Sequence, residues 1–145
     1  QHDATAILFT AKYTHNVLRP VTYIQNEMKH PEWQPLIPTP NHPEFPSGHA
    51  TINGSVLTMM TDVFGKNFNI TLHTYDYLGM APRSYSSFEA MAKEMAESRV
   101  WGGIHYQATC DRSRVQGKKI AQNILKKIEF LKDHHHGHDH GHGHD

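Results

Sequence analysis

Apolar residues recur at helical spacing in four stretches of the chain. Ala4, Ile7, Leu8, Ala11 and Leu18 form one stripe and predict a helix from Ala4 to Leu18. Pro20 breaks or bends it, and Val21 to Met28 reads as a shorter helical piece. Ala50, Val56, Leu57, Met60, Val63 and Phe64 predict a central helix from Ser47 to Phe64, closed by Gly65 as C-cap. Phe88, Met91, Ala92, Met95 and Val100 predict the next helix; Ser86 opens it, with Glu89 three residues later in a capping-box pattern. Ile120, Ala121, Ile124, Ile128 and Leu131 share one face of a last helix over Asp111 to Leu131.

Between the first helices the pattern changes. Pro31, Pro35, Pro38, Pro40, Pro43 and Pro46 exclude a helix or central strand. Trp33, Leu36, Ile37 and Phe45 are too apolar for a loose linker, so this stretch reads as an ordered loop packed over the domain at the rim of a pocket. Residues 66–86 lack a helical period; Ile70, Leu72 and Tyr75 fit a short strand or an extended crossing. Gly54 in mid-helix implies close approach of a neighbouring helix, and Gly102-Gly103 allow close backbone approach or unusual φ. The fold class is therefore an all-α helical bundle covered by a proline-rich loop.

Composition sets the limits. A single domain over residues 1–132 accounts for the apolar pattern. Residues 133–145 contain only His, Gly and Asp, hold half of the 14 histidines, and are expected to form a disordered tail. That tail has the chemistry to bind divalent metals. Lys plus Arg and Asp plus Glu are equal at 14 each, which argues against a nucleic-acid binder driven by net charge. No apolar run is long enough for membrane insertion. Cys110 stands alone, so no intrachain disulfide forms. Compartment and oligomeric state stay open, with a soluble secreted or periplasmic protein among the readings.

The chemistry collects in three separated islands. One is Lys12 and, seven residues on, Arg19-Pro20, which a continuous helix would place on nearly the same face. The second is Pro46-Ser47-Gly48-His49, at a predicted helix N-terminus whose free N–H groups and positive dipole end suit an anion. The third is Ser98-Arg99 followed by His105. Three basic side chains, two of them with rigid guanidinium forks, would be costly to cluster without an anion to neutralise them.

In residues, spacing and order, these islands resemble the superfamily that joins type 2 phosphatidic acid phosphatases, bacterial acid phosphatases and vanadium-dependent haloperoxidases. The resemblance runs from Lys12 to about Gly117. It implies that Lys12, Arg19, Ser47, Gly48 and Arg99 bind vanadate or phosphate. In a haloperoxidase it implies that His105 is the one protein ligand to vanadium, that His49 is the acid/base, and that peroxide and a halide are the substrates. In a phosphatase it implies that His105 becomes a phosphohistidine and His49 protonates the leaving oxygen of a phosphate ester. The loop from Trp33 to Ala50 and the run Arg83 to Tyr106 are similar to the soluble haloperoxidase-like branch, with acid phosphatase as the alternative. Bundles of this family use more helices than the pattern shows here, so this stretch is expected to be the C-terminal part of a larger bundle.

One position departs from the family pattern. An Asp that orients the imidazole is expected four residues after His105, and Thr109 stands there. Either Asp111 substitutes through a shifted helix start, or His105 is less polarised. Two readings from other classes remain: a metal-binding protein run by the histidine tail, and an oxyanion-binding module without turnover.

Overall fold

The computed structural model describes residues 1–128. The expected tail and Leu131 lie outside the described residues, and the last helix ends at Lys127, short of the expected bound, with Ile128 extended. Five helices carry the fold: α1 (His2–His15), α2 (Pro20–Asn26), α3 (Gly48–Phe64), α4 (Phe88–Trp101) and α5 (Gln107–Lys127). A ribbon of β1 (Ile70–Leu72) and β2 (Arg83–Tyr85) pairs antiparallel, Ile70 opposite Tyr85, with a short 3-10 turn between them. The all-α expectation holds, and of the two options for Ile70–Leu72 the strand is realised.

The centre of the bundle is α3, packed mainly on α5 and then on α4. Its buried face is Ala50, Thr51, Gly54, Ser55 and Leu57; that of α5 is Thr109, Cys110, Ser113, Gly117 and Ala121. Small side chains let the two backbones approach closely. A Cβ on Gly117 would lie 2.0 Å from the Thr51 carbonyl oxygen, and one on Gly54 would lie 2.5 Å from that of Arg114. The apolar stripe of the sequence is met in part: Ala50 and Leu57 are buried, but Val63 and Phe64 are exposed and Thr51 and Ser55 take buried places. Larger apolar groups sit at the far end of α3, where Leu57, Phe88 and Ala92 form a cluster with Met60, Met91 and Met95 around it.

Among the boundaries that differ from expectation, three are instructive. First, α1 stops at His15 because Asn16 adopts the left-handed conformation and its N–H caps the Lys12 carbonyl. Arg19 is therefore outside α1, as N-cap of α2 with Pro20 at its first turn. The buried face of α1 is Ala4, Leu8 and Lys12, whereas Ile7 and Leu18 are exposed. Second, α4 is capped by Ser87, not Ser86: the Ser87 hydroxyl accepts from the Ala90 N–H at 3.1 Å. Glu89 then pairs with Arg114 and Lys118 of α5 instead of closing a capping box. Third, α5 begins at Gln107, four residues before Asp111.

The proline-rich segment is an ordered cover. The Ile37 N–H bonds to the Gly102 carbonyl at 3.4 Å, and the Glu44 N–H to that of Val17 at 2.9 Å. Gly102 and Gly103 permit this seating: added Cβ atoms would meet Ile37 at 2.8 Å and Trp33 at 3.0 Å, and Gly103 has φ +75°. The Phe45–Pro46 peptide bond is cis.

Candidate oxyanion site

A cavity of about 310 Å³ opens where α1, the proline-rich loop, the start of α3 and the α4–α5 junction meet. Lys12, Gly48, His49, Arg99 and His105 all line it, as do His42 and the apolar Leu8, Phe9 and Ile104. Residues from all three islands are thus brought to one place.

Each arrives by a specific route. Lys12 is fully buried on the inner face of α1, and its Nζ donates to the carbonyls of Pro43 at 2.7 Å and Glu44 at 3.1 Å. Two of its three protons are thereby engaged. Desolvation, and then the charge of Arg19, lower its pKa to about 8. Arg19 is 6% exposed and does not line the cavity; it is tied to the loop and to His105. Its Nε donates to the His42 carbonyl at 3.0 Å, one Nη to the Ile104 carbonyl at 2.8 Å and to His105 Nε2 at 3.2 Å, and the other to His42 Nδ1 at 3.0 Å.

The helix-terminus side is different. Ser47 is the N-cap of α3 and is fully buried; its N–H donates to Ser113 Oγ at 2.9 Å, but its own hydroxyl has only the Cys110 thiol beside it and no partner of good hydrogen-bond geometry. Arg99, in the last turn of α4, lines the cavity with Nε buried and unpaired. His49 follows Gly48 in the first turn of α3 and is exposed at the rim. Partial desolvation, then the nearby charge of Arg99, lower its pKa below the ordinary histidine value. Burial also lowers the pKa of Arg99 itself.

His105 is 6% exposed, and burial lowers its pKa against the opposing pull of Glu44. Its Nδ1 lies 2.7 Å from Glu44 Oε1. Glu44, fully buried, also accepts the Tyr106 N–H at 3.1 Å on the same oxygen and the Thr109 hydroxyl at 2.9 Å on Oε2.

This corrects the reading of Asp111. Its carboxylate is exposed on α5, accepts from Gln107 Nε2 in its own first turn, and makes no bond to His105. The earlier start of α5 turns Thr109 inward and Asp111 outward. Sequence reasoning missed two residues, Glu44 and His42. A carboxylate set between Pro43 and Phe45, just before the Ser47-Gly48-His49 run, was the available signal for Glu44. Cys110, beside these groups in sequence, has its pKa pushed up to about 11 by burial and is not a reactive thiolate.

The donor set fits a tetrahedral or bipyramidal oxyanion. Buried donors without partners are costly, and two of them, Ser47 Oγ and Arg99 Nε, belong to residues of the expected cage. A bound anion would satisfy such groups with charge-assisted bonds. Among the described residues, no cluster of three or more His, Cys, Asp or Glu has the arrangement of a metal-ion site. None of the described helices is long and apolar enough to cross a membrane.

Comparison with known proteins bears on the family and the fold. The model of the VCPO second helical-bundle domain matches residues 1–134. A bacterial vanadium-dependent iodoperoxidase superposes with a TM-score of 0.84 at 36% identity, over 90% of this chain and 32% of that one. The apo form of a bacterial vanadium-dependent chloroperoxidase superposes with a TM-score of 0.70 at 21% identity, over 86% of this chain and 34% of that one. The chain thus spans about a third of the length of the solved structures it matches. No curated protein sequence matches it significantly.

Proposed function

The chain belongs to the VCPO second helical-bundle domain family, and from that premise we propose that its cavity binds vanadate in a haloperoxidase that oxidises halide with hydrogen peroxide. The observation that carries the reading is the convergence of Lys12, Gly48, His49, Arg99 and His105 on one cavity, with the Arg99 Nε buried and unpaired. His105 would be the ligand through Nε2, since Nδ1 is engaged by Glu44. Lys12, Arg99, Ser47 and Gly48 would hold the oxygens, and Arg19 would stand against His105 as a fixed positive charge. Vanadate, when bound, supplies the activation of peroxide for two-electron oxidation of halide. His49, with its lowered pKa, is neutral at neutral pH and so free to accept a proton at a ring nitrogen. Leu8, Phe9 and Ile104 make part of the wall apolar, which strengthens the electrostatic contacts inside. Iodide is the first halide to test, because the iodoperoxidase is the similar structure with 36% identity.

A second reading has one observation in its favour. The buried Glu44 carboxylate on His105 Nδ1 supplies the polarisation that a nucleophilic histidine needs. In that case His105 Nε2 would attack the phosphorus of a monoester and the P–O bond to the alcohol would break. The leaving oxygen would take its proton from His49. Water, deprotonated by His49, would then release phosphate from His105.

One purified sample of the whole protein separates these readings. Oxidation of iodide and bromination of a phenolic dye are measured with vanadate and peroxide, and hydrolysis of a phosphate monoester without vanadate. Vanadate-dependent halide oxidation alone is the expected result. Hydrolysis alone would replace the first reading with the second, and inactivity in both assays with tight vanadate binding would leave an oxyanion-binding module.

A further inference from the structure

We propose that Glu44 is a positioning residue that fixes the tautomer of His105, taking over from another element the task that position 109 performs in the family pattern. The inference deepens the oxyanion-site reading and rests on it.

The proton assignment follows from donor chemistry. Arg19 contacts His105 Nε2 at 3.2 Å, and a guanidinium has donors only. Nε2 must therefore accept, which puts the proton of the neutral ring on Nδ1. Nδ1 lies 2.7 Å from Glu44 Oε1, so it donates there. The ring is held at both edges, and Nε2, whose lone pair accepts from Arg19 in the free protein, is the nitrogen a ligand or electrophile would take over by displacing that bond. A ligating histidine has its tautomer set by the bond its other nitrogen makes.

Glu44 is itself held. It lies 61 residues before His105, in the proline-rich loop, and is fully buried. Its carboxylate accepts from three donors of the α4–α5 junction: His105 Nδ1, the Tyr106 N–H and the Thr109 hydroxyl. From behind, Lys12 Nζ holds the Glu44 carbonyl at 3.1 Å, and the Glu44 N–H is bonded to Val17. Thr109, which cannot supply a charge, instead donates to the residue that does. The carboxylate stands on the loop, and Thr109 anchors it.

The test uses the whole protein, labelled with 15N-histidine, with His105→Ala used to assign the signal. In the free wild-type protein, the ring-nitrogen shifts should report His105 protonated at Nδ1; protonation at Nε2 would overturn the proposal without any variant. Glu44→Gln should lose the pure tautomer, because an amide both donates and accepts. Its vanadate affinity should fall roughly 10–100-fold, as for other residues that orient a ligand. Adding Thr109→Asp to Glu44→Gln should restore the Nδ1–H tautomer and most of the affinity, a rescue that a merely structural glutamate would not show. If Glu44→Gln does not melt cooperatively, the double variant and the wild-type tautomer decide. Glu44→Gln with a wild-type tautomer and affinity would overturn the inference and leave the site reading intact. A wild-type protein that binds no vanadate would sink the site reading, while the tautomer result would still stand.

Discussion

The two walls of the cavity are built on opposite plans. On the loop wall, Lys12, Arg19, Glu44 and His105 are bonded to one another or to backbone carbonyls, with two cations set against one carboxylate. On the helix wall the chain leaves donors idle. Of the four buried side-chain atoms without a partner among the described residues, Ser47 Oγ, Thr51 Oγ1 and Arg99 Nε all belong to the start of α3 or the end of α4. The fourth, Thr39 Oγ1, lies in the loop. Bonds within the fold engage the polar groups of the loop wall. An anion would give the unpaired donors of the helix wall a partner, and each such group costs ~1–3 kcal/mol when left unmade.

The sharpest way to break that contrast is Arg99→Ala. It removes a charge with no protein partner, so oxyanion affinity should fall by at least ~2 kcal/mol while thermal stability holds or rises. Titration of vanadate followed by calorimetric melting checks both; lower stability with unchanged affinity would make Arg99 part of the scaffold. Gly117→Ala should act in the opposite sense. The added Cβ would meet the Thr51 carbonyl, so α3 and α5 must separate, at a cost of about 1–3 kcal/mol seen in urea unfolding. Ser47→Ala should weaken anion binding by about 1.5 kcal/mol, the worth of one hydrogen bond to a charged acceptor. It should leave stability near wild type, since the hydroxyl it removes has only the weak Cys110 thiol beside it.

The smallest effect is one of pH. Lys12 loses its charge at about pH 8 in the free protein. Anion binding favours the charged form, so affinity should decline as pH rises through that value, by up to tenfold per pH unit. The sign for stability is opposite. Between pH 8 and the ordinary lysine value the unfolded chain binds the extra proton, so stability rises with pH there and the cost of burying the charge is felt below it. Lys12→Arg should remove the break in the affinity profile, because guanidinium does not titrate in this range. An unchanged break would assign it to another group.

Much of this was legible in the chain. The helices follow from apolar spacing, the covering loop from its prolines, and the meeting of three islands at one cavity from their basic, small and imidazole residues. Gly54 announced the close approach of α5 correctly. The misses share a cause: they depend on where one segment lies against another. Periodicity ran the first helix to Leu18 and set Arg19 on the face of Lys12, but a left-handed Asn16 ended that helix first. Asp111 is two residues from Thr109 in sequence but turns to the opposite side of the α5 start. Glu44 could be found only by asking what replaces an acid missing at position 109, a question the fold answers from 65 residues away. Lys12 in an apolar face of α1 is buried because two loop carbonyls wait for it, which a hydropathy pattern cannot show.

The central claim is that separate stretches of chain close around one oxyanion, with His105 at its base. Calorimetric titration of orthovanadate into the whole protein, beside its His105→Ala and Arg99→Ala variants, tests it most directly. One vanadate per chain on the wild type, weakened by Arg99→Ala and lost in His105→Ala, is the result this structure predicts. Equal binding by all three proteins, or none by the wild type, would contradict it.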